Sequence, residues 1–377
     1  MNSTRAKVLG LLVATGVLAG AVTASGAQAD APRDALEQLV KQEKFPGAVL
    51  VTQSTSYTAG AARFGRPGPP PVNGRVRAAS NTKTFVAVVV LQLVAEGKVE
   101  LDAPIERYLP GLIRGKGIDG HKITVRNLVQ QNSGLPEYTS HIGIDDYEKS
   151  KDRYFEPRQL LAVALAHPAT AQPGQRWEYS NTNYIVAGML IERMTGRPLA
   201  EQVTKRVIDK ARLRDTYWPR VGERTIRGTH ARGYGLLKDG KTVADVTELD
   251  PSAAWAAGQL ITTPADLNAF FAALIGGKLL PARQLAEMRK TVPAQMWPGA
   301  RYGLGLVSTE LSCGGVYWGH GGDIPGFETR GGVTEDGRQA SVVVTALPGT
   351  FGPANGDRAH AAVMSTVDKA LCSGGKR

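Results

Sequence analysis

Ser80-Asn-Thr-Lys83 holds the residues of this chain best suited to covalent chemistry. A serine and a lysine three apart on a helix project from one face. A lysine enclosed away from water loses its solvation, its pKa falls, and the free amine can take the serine proton. A serine in the first turn also sits at the positive end of the helix dipole, beside any oxyanion formed on an attacked carbonyl. The competing reading is a plain helix-capping serine. The tetrad alone does not decide, since Ser373-Gly-Gly-Lys376 has the same spacing. Position separates the two, because Ser80 opens the most apolar helical stretch of the chain, which runs to Gly97.

Two further groups follow in order. Tyr179-Ser-Asn181 is the only Y-x-N among eleven tyrosines. A phenol beside an ammonium can be partly ionised or relay a proton, and an amide can bind both a lysine and a substrate carbonyl. His320-Gly-Gly322 reads as a histidine on a strand, with glycines that let a substrate backbone lie close to the strand edge. His141-Ile-Gly143 has the same pattern but no strand around it, and a buried structural histidine is the alternative for His320. Other matches fail. Gly115 to Gly120 fits G-x-G-x-x-G without the strand and helix that dinucleotide binding requires. No G-x-S-x-G is present. Neither C-x-x-C nor H-E-x-x-H occurs, so no metal and no organic cofactor is implied.

These residues must be placed by larger elements. The 377 residues suit two or three domains. With 42% hydrophobic and 21% charged residues, a disordered chain is excluded. Helical spacing over Asp34–Glu43 leads to strands at 47–52, 57–64 and 75–78. A mostly helical stretch follows, with helices near 125–131, 157–166, 184–195, 199–207 and 264–274. The last third reads as strands at 302–307, 315–318, 328–334 and 339–345, with an Asp336-Gly337 turn between the final two and a helix over 357–372. Strands at both ends with helices between imply an α/β fold, an antiparallel sheet flanked by helices plus an inserted all-α domain. The expected division is 30–79 with 290–377 as the sheet domain and 80–289 as the helical domain, with the site at their interface.

Residues 1–29 read as a secretory signal: Arg5 and Lys7, an apolar run from Val8, and Ala27-Gln28-Ala29 before Asp30. An uncleaved anchor is the alternative. No later stretch is apolar for long enough to span a bilayer, so no stable membrane anchor is expected after cleavage. The net charge is +11, but the basic residues are scattered and aromatics are 6%, which argues against nucleic acid as a partner. A weak attraction to anionic cell-wall polymer is the more economical reading. Two cysteines in an exported chain favour a disulfide, with two unpaired buried thiols as the alternative.

The order S-x-x-K, Y-x-N, H-x-G resembles the penicillin-recognising serine hydrolases, the family of DD-peptidases, class C β-lactamases, and related esterases and D-aminopeptidases. Val89–Val94, Leu128–Leu135, Tyr179–Glu192, Thr229–Ala231, Tyr302–Leu306 and Leu311–Gly314 are most similar to the branch of secreted D-alanyl-D-alanine carboxypeptidase/transpeptidases. The resemblance runs over almost all of the mature chain. It implies Ser80 as nucleophile, Lys83 as its partner, Tyr179 as proton relay to the leaving group and Asn181 steadying the substrate amide. His320 stands where many relatives carry the lysine of K-T-G. The resemblance also implies an oxyanion hole from the backbone N–H groups of Ser80 and Asp323, Trp255 as a cleft-wall aromatic, and a Cys313–Cys372 disulfide. The function it implies is acyl transfer on D-amino-acid peptides or peptidoglycan fragments, with β-lactams as covalent inhibitors. A D-aminopeptidase, alkaline D-peptidase, esterase or non-catalytic penicillin-binding module are the alternatives. One departure bears on specificity. The residues that hold a substrate's terminal carboxylate in the family are replaced by Val307, Gly321 and Asp323, leaving Arg330 or Arg301 as the cations that can compensate.

Overall fold

The computed structural model describes residues 24–144 and 146–373. The first 23 residues of the expected signal, and Lys376 of the second S-x-x-K, lie outside them. Helix α1 (Ala24–Lys41) leads into β1 (Gly47–Thr52) and β2 (Ser56–Gly60). The helical part contains α2 (Thr82–Ala95), α3 (Asn181–Thr195) and α4 (Pro264–Ile275). The chain then returns through β3 (Val292–Pro293), β4 (Ala300–Tyr302), β5 (Val307–Glu310) and β6 (Val316–Gly319). It finishes with β7 (Gly322–Ile324), β8 (Phe327–Thr334), β9 (Gln339–Val344) and α5 (Gly356–Ser373).

These nine strands form one sheet in the order β2-β1-β9-β8-β6-β5-β4-β3, with β7 paired to β8. Every pairing is antiparallel. Strand β1 lies beside β9, Ala48 opposite Val344 and Thr52 opposite Ala340, so both ends of the chain build the sheet's centre. The two-residue period explains the register. Leu50, Val342 and Val344 pack with Leu36 and Leu39 of α1 and Val363 and Val367 of α5. Val343 faces the other way, onto Val76, Ile261 and Phe327. A slip of one residue would exchange these faces, which is why the pairing is unique.

The expected boundary at 289/290 is corrected by α4. Asn268 on this helix donates to the Val51 carbonyl (2.9 Å) and accepts from the Ser341 hydroxyl (2.8 Å), so α4 covers the sheet itself. Its apolar spacing is that of any core helix and does not tell which layer it packs on. The two parts also share one core, since the buried cluster of α2 and α3 extends to Trp318 of β6 and Val333 of β8. The expected strand over 302–307 is instead a turn between β4 and β5. There the Gly303 N–H donates to the Leu306 carbonyl (2.7 Å) and Gly305 takes φ +71°. A Cβ at Gly305 would lie 2.5 Å from Ala87 Cβ and Tyr184 Oη, so the turn docks directly on α2 and α3. Cys313 and Cys372 are bridged, with Cα atoms 5.8 Å apart, which fastens the β5–β6 loop to α5. Among the described residues no helix is long and apolar enough to cross a membrane.

Candidate active site

The chain is held rigidly where it enters the Ser80 turn. Arg77 is buried and its guanidinium donates to the carbonyls of Thr247 (2.8 Å), Arg224 (2.7 Å) and Leu249 (3.1 Å). The Ala78 N–H donates to the Leu260 carbonyl (2.8 Å). Ala79 then takes φ +47°, a left-handed conformation that costs a residue with a Cβ of order 1–3 kcal/mol. Ser80 follows within a short 3₁₀ turn, Ala79–Asn81, before α2 begins. Asn81, not Ser80, is the helix-capping position, and its amide donates to Thr329 Oγ1 (2.6 Å) and the Ala78 carbonyl (3.0 Å). The plain capping role for Ser80 therefore falls away, and its hydroxyl is left for Lys83.

Lys83 is fully enclosed. Its ammonium donates to Ser80 Oγ (2.9 Å), Asn181 Oδ1 (2.7 Å) and the Ala257 carbonyl (2.7 Å), which uses all three of its protons. Burial lowers its pKa to about 7, partly offset by the carboxylates of Glu137 and Asp323. An amine that loses its proton near neutrality, in hydrogen-bond contact with a serine hydroxyl, is suited to general-base work.

Tyr179 completes the group. Its phenol is a hydrogen-bond neighbour of Ser80, and Lys83 Nζ lies 5.0 Å from its ring centroid. Burial pushes this phenol well above its ordinary value, with Tyr302 acting in the same direction. That direction favours the protonated phenol, the form that the expected proton relay uses.

His320 is corrected on two counts. It lies just past β6, in the two-residue break before β7, and not within a strand. Its Nδ1 donates to the Gly321 carbonyl (2.6 Å) and its Nε2 accepts from the Tyr302 hydroxyl (3.1 Å). Burial pulls its pKa down to about 3, with the charge of Lys83 adding to the effect. It is a neutral imidazole that fixes Tyr302, whose ring stands edge-on to Tyr179 at 6.5 Å between centroids. Among the described residues it makes no hydrogen bond to Ser80 or Lys83, so it acts as a positioning residue.

Asp323 lies on β7, which hydrogen-bonds to β8 alone. Ile324 and Phe327 flank the Pro325-Gly326 turn, and Asp323 lies opposite Glu328. Asp323 lines the same cavity as Ser80, where the expected oxyanion donors would have to meet. The adjacent glycines serve a different purpose from the one expected. A Cβ on Gly322 would meet the Ala78 carbonyl at 2.3 Å, and one on Gly321 would meet the Arg330 guanidinium at 2.8 Å. These positions let β7 approach the nucleophile turn and do not line a bed for substrate. Arg330 is buried and its Nη2 donates to both oxygens of Asp323 (2.8 and 2.9 Å), with Glu328 also 2.8 Å away. Its charge is neutralised within the protein. Arg301 points to Thr291 and away from the cleft (3.0 Å).

A cavity of about 230 Å³ opens at Ser80, Asn181 and Asp323, with mostly apolar walls that include Tyr138, Ile144, Leu249, Pro251 and Ile324. Trp255 is not among its walls. Its indole packs over Gly188 of α3 and lines a separate cavity, because φ +33° at Trp255 turns the side chain to the opposite face of the segment that supplies Ala254 and Ala257 to the Ser80 side. This corrects the cleft-wall expectation.

Four contributors lie outside the three motifs. Glu137 accepts from the Asn181 backbone N–H (2.7 Å) and side-chain Nδ2 (3.0 Å), which turns Asn181 Oδ1 toward Lys83. Both ends of the Asn181 amide thus have partners inside the protein. Gln131, at φ +63°, accepts from the Ser180 N–H (3.0 Å) and Asn183 Nδ2 (2.6 Å) and holds the start of α3. Tyr302 and the Ala257 carbonyl complete the set, and of the four Gln131 and Tyr302 lay in stretches the sequence had marked. Among the described residues no cluster of three or more His, Cys, Asp and Glu is arranged to hold a metal.

The Beta-lactamase family profile matches residues 32–364, and the chain belongs to that family. A D-stereospecific amidohydrolase from Streptomyces sp. is 38% identical with TM-score 0.81, over 89% of this chain and 97% of that one. The D-amino acid amidase of Ochrobactrum anthropi SV3 is 27% identical with TM-score 0.77, over 92% and 98% of the two chains. Esterase EstB of Burkholderia gladioli is 36% identical over 149 residues, 37% of each chain. This chain spans less than half the length of the first curated relatives it matches. The protein is a serine hydrolase of the β-lactamase and penicillin-binding protein family, with amidases and esterases among its neighbours.

Proposed function

We propose that this protein is an exported serine acyl-transfer hydrolase that forms an acyl-enzyme at Ser80, acts on D-amino-acid amides, D-peptides or the matching esters, and is acylated by β-lactams. The contact between Lys83 Nζ and Ser80 Oγ, 2.9 Å with a lysine pKa of about 7, carries this reading. In its neutral form Lys83 takes the hydroxyl proton as Ser80 Oγ bonds to the substrate carbonyl. The oxyanion is held by the N–H groups of Ser80 and Asp323. Tyr179 passes the proton to the leaving nitrogen or oxygen, the acyl–heteroatom bond breaks, and water then releases the acyl group by the same steps in reverse.

The leaving-group side favours neutral partners. A free terminal carboxylate needs a cation, but Val307 supplies no donor and Arg330 is already paired with Asp323 and Glu328. Losing a charged hydrogen bond costs roughly 1.5–3 kcal/mol. Amides and esters are therefore preferred to strict D-alanyl-D-alanine carboxypeptidase activity, in keeping with the amidohydrolase, amidase and esterase among the relatives. Peptidoglycan fragments remain candidate substrates through their D-residues. Export rests on residues 1–29. Cleavage after Ala29 would leave Pro32 in the first turn of α1, where its missing N–H breaks no helical bond.

The test is a panel of D-phenylalanine amide, N-acyl-D-Ala-D-Ala, its C-terminal amide and a D-amino-acid ester, run beside fluorescent penicillin. Expected are turnover of amide or ester and one penicillin adduct that maps to Ser80 and disappears in Ser80→Ala. The acid should gain no more than about tenfold over its amide, or ~1.4 kcal/mol. Labelling that persists in Ser80→Ala overturns the nucleophile. An acid cleaved more than about a hundredfold faster than its amide restores the carboxypeptidase reading.

A further inference from the structure

A cavity of about 720 Å³, larger than the one of about 230 Å³ at Ser80, lies apart from it. The segment from Asp250 to Gln259 separates the two, Asp250 touching both, Ala254 and Ala257 facing Ser80, and Trp255 and Gln259 facing the larger space. Its walls are aromatic, with Trp218, Trp255 and Tyr154 around Met189 of α3. Tyr154 and Val221, at 40% and 79% exposure, stand at its lip and are two of only four large hydrophobic residues so exposed among those described.

Three carboxylates and three guanidiniums line it, and they are not paired with one another. Glu192 is spent on the Leu199 N–H (2.9 Å), Asp250 on the Ser252 N–H (2.9 Å), and Glu156 on the first turn of the helix beginning at Pro157. Arg158, Arg193 and Arg220 are exposed, and among the described residues their guanidiniums make no ion pair or hydrogen bond, although the Arg220 backbone N–H donates to Glu223 Oε2 (2.8 Å). Three uncommitted guanidiniums around an aromatic trough call for carboxylates next to apolar groups. Inside, Gln259 Oε1 is buried without a partner, an acceptor awaiting an N–H. An unmet acceptor of this kind costs about 1–3 kcal/mol until it is satisfied.

We infer that this cavity is a second binding site, separate from Ser80, for an acidic peptide. Carboxylates would engage Arg158, Arg193 and Arg220, a backbone N–H would satisfy Gln259, and apolar side chains would lie against Trp218 and Trp255. The assignment does not depend on the chemistry at Ser80.

The experiment uses dye-labelled all-L peptide amides alternating Glu and Phe, matched with Gln/Phe and Lys/Phe versions, and follows fluorescence anisotropy on the full chain. Only the acidic peptide should bind. Its affinity should fall with added salt, and by at least about tenfold in Arg158→Glu/Arg220→Glu. Penicillin labelling of Ser80 in that variant reports that it is folded. Equal binding of the Gln or Lys peptide overturns the proposal, as does no binding of the acidic peptide or indifference to the charge reversal. Binding of inorganic polyphosphate in preference to the acidic peptide also overturns it.

Discussion

Glu137→Gln separates two jobs that one carboxylate performs. Glu137 Oε2 accepts both the backbone and side-chain N–H of Asn181, at 2.7 and 3.0 Å, and Asn181 Oδ1 in turn accepts from Lys83. The negative charge also holds the pKa of Lys83 up against burial, which has brought it from 10.5 to about 7. A neutral amide of the same shape weakens a charge-assisted contact of roughly 1.5–3 kcal/mol, so acylation at its optimum should slow by about ten- to a hundredfold. Removing the charge lets the lysine pKa fall further. Acylation needs neutral Lys83 and rises with pH through about 7 in the native protein, so the acid limb of the variant should move to lower pH. The assay is the rate constant of fluorescent-penicillin acylation between pH 5 and 9, with intact mass confirming one adduct. The two effects have opposite consequences at low pH, and the variant loses least activity there. A limb that stays in place or moves up would refute the electrostatic role, and a loss below about threefold would refute the positioning role.

Tyr179→Phe removes only a hydroxyl and should slow acylation by about 10² or more while leaving the thermal midpoint close to wild type. Near-native turnover would mean that the proton reaches the leaving group by another route. His320→Gln should cost less than tenfold in acylation, since the ring touches Tyr302 and not Ser80. It should also flatten the pH dependence of stability. The native imidazole excludes a proton down to about 3 while the unfolded one binds it below 6.5, so stability present above 6.5 is lost as pH falls toward 3. Urea midpoints at pH 7, 5.5 and 4 measure this, and an unchanged slope in the variant would count against a buried neutral His320. Reducing the Cys313–Cys372 bridge should lower stability by up to about 4 kcal/mol for a loop of 59 residues, read as a urea-midpoint shift. No shift would mean that the bridge merely decorates the fold.

The helices and central strands were legible because their periods are strong. β1, β8, β9, α2 and α5 lie within a few residues of where apolar spacing put them. The grouping of Ser80, Lys83, Tyr179 and Asn181 was legible because helical spacing brings Ser80 to Lys83 locally, and Tyr179 and Asn181 precede or open a helix. What failed had no local signal. Tyr302–Val307 alternates like a strand, yet Gly303 and Gly305 bend it onto α2, a contact between residues some two hundred positions apart. Trp255 was seen as an aromatic near the site, but its direction depends on a backbone angle of +33° that no residue type announces. Arg330 could be named as a compensating cation only while its partners were unknown. Opposite Asp323 and Glu328 it is a neutralised core residue.

Lys83 and His320 show how burial divides the acid–base work of the site between two basic side chains. Both are basic, both are buried, and burial lowers both pKa values as its largest effect. Lys83 goes from 10.5 to about 7 and His320 from 6.5 to about 3, so the gap of about four between them is the one the two side-chain types begin with. Lys83 has the carboxylates of Glu137 and Asp323 to stabilise its ammonium. His320 has the cations Lys83 and Arg330, which oppose a second positive charge. A base must change protonation state near working pH to pass protons efficiently, and only Lys83 meets that condition. The histidine in the strand break is thereby released from proton transfer and left to fix Tyr302, which in turn walls in Tyr179. The acid–base division of the site follows from burial acting on two bases of different intrinsic strength, which brings the lysine to working pH and carries the histidine well below it.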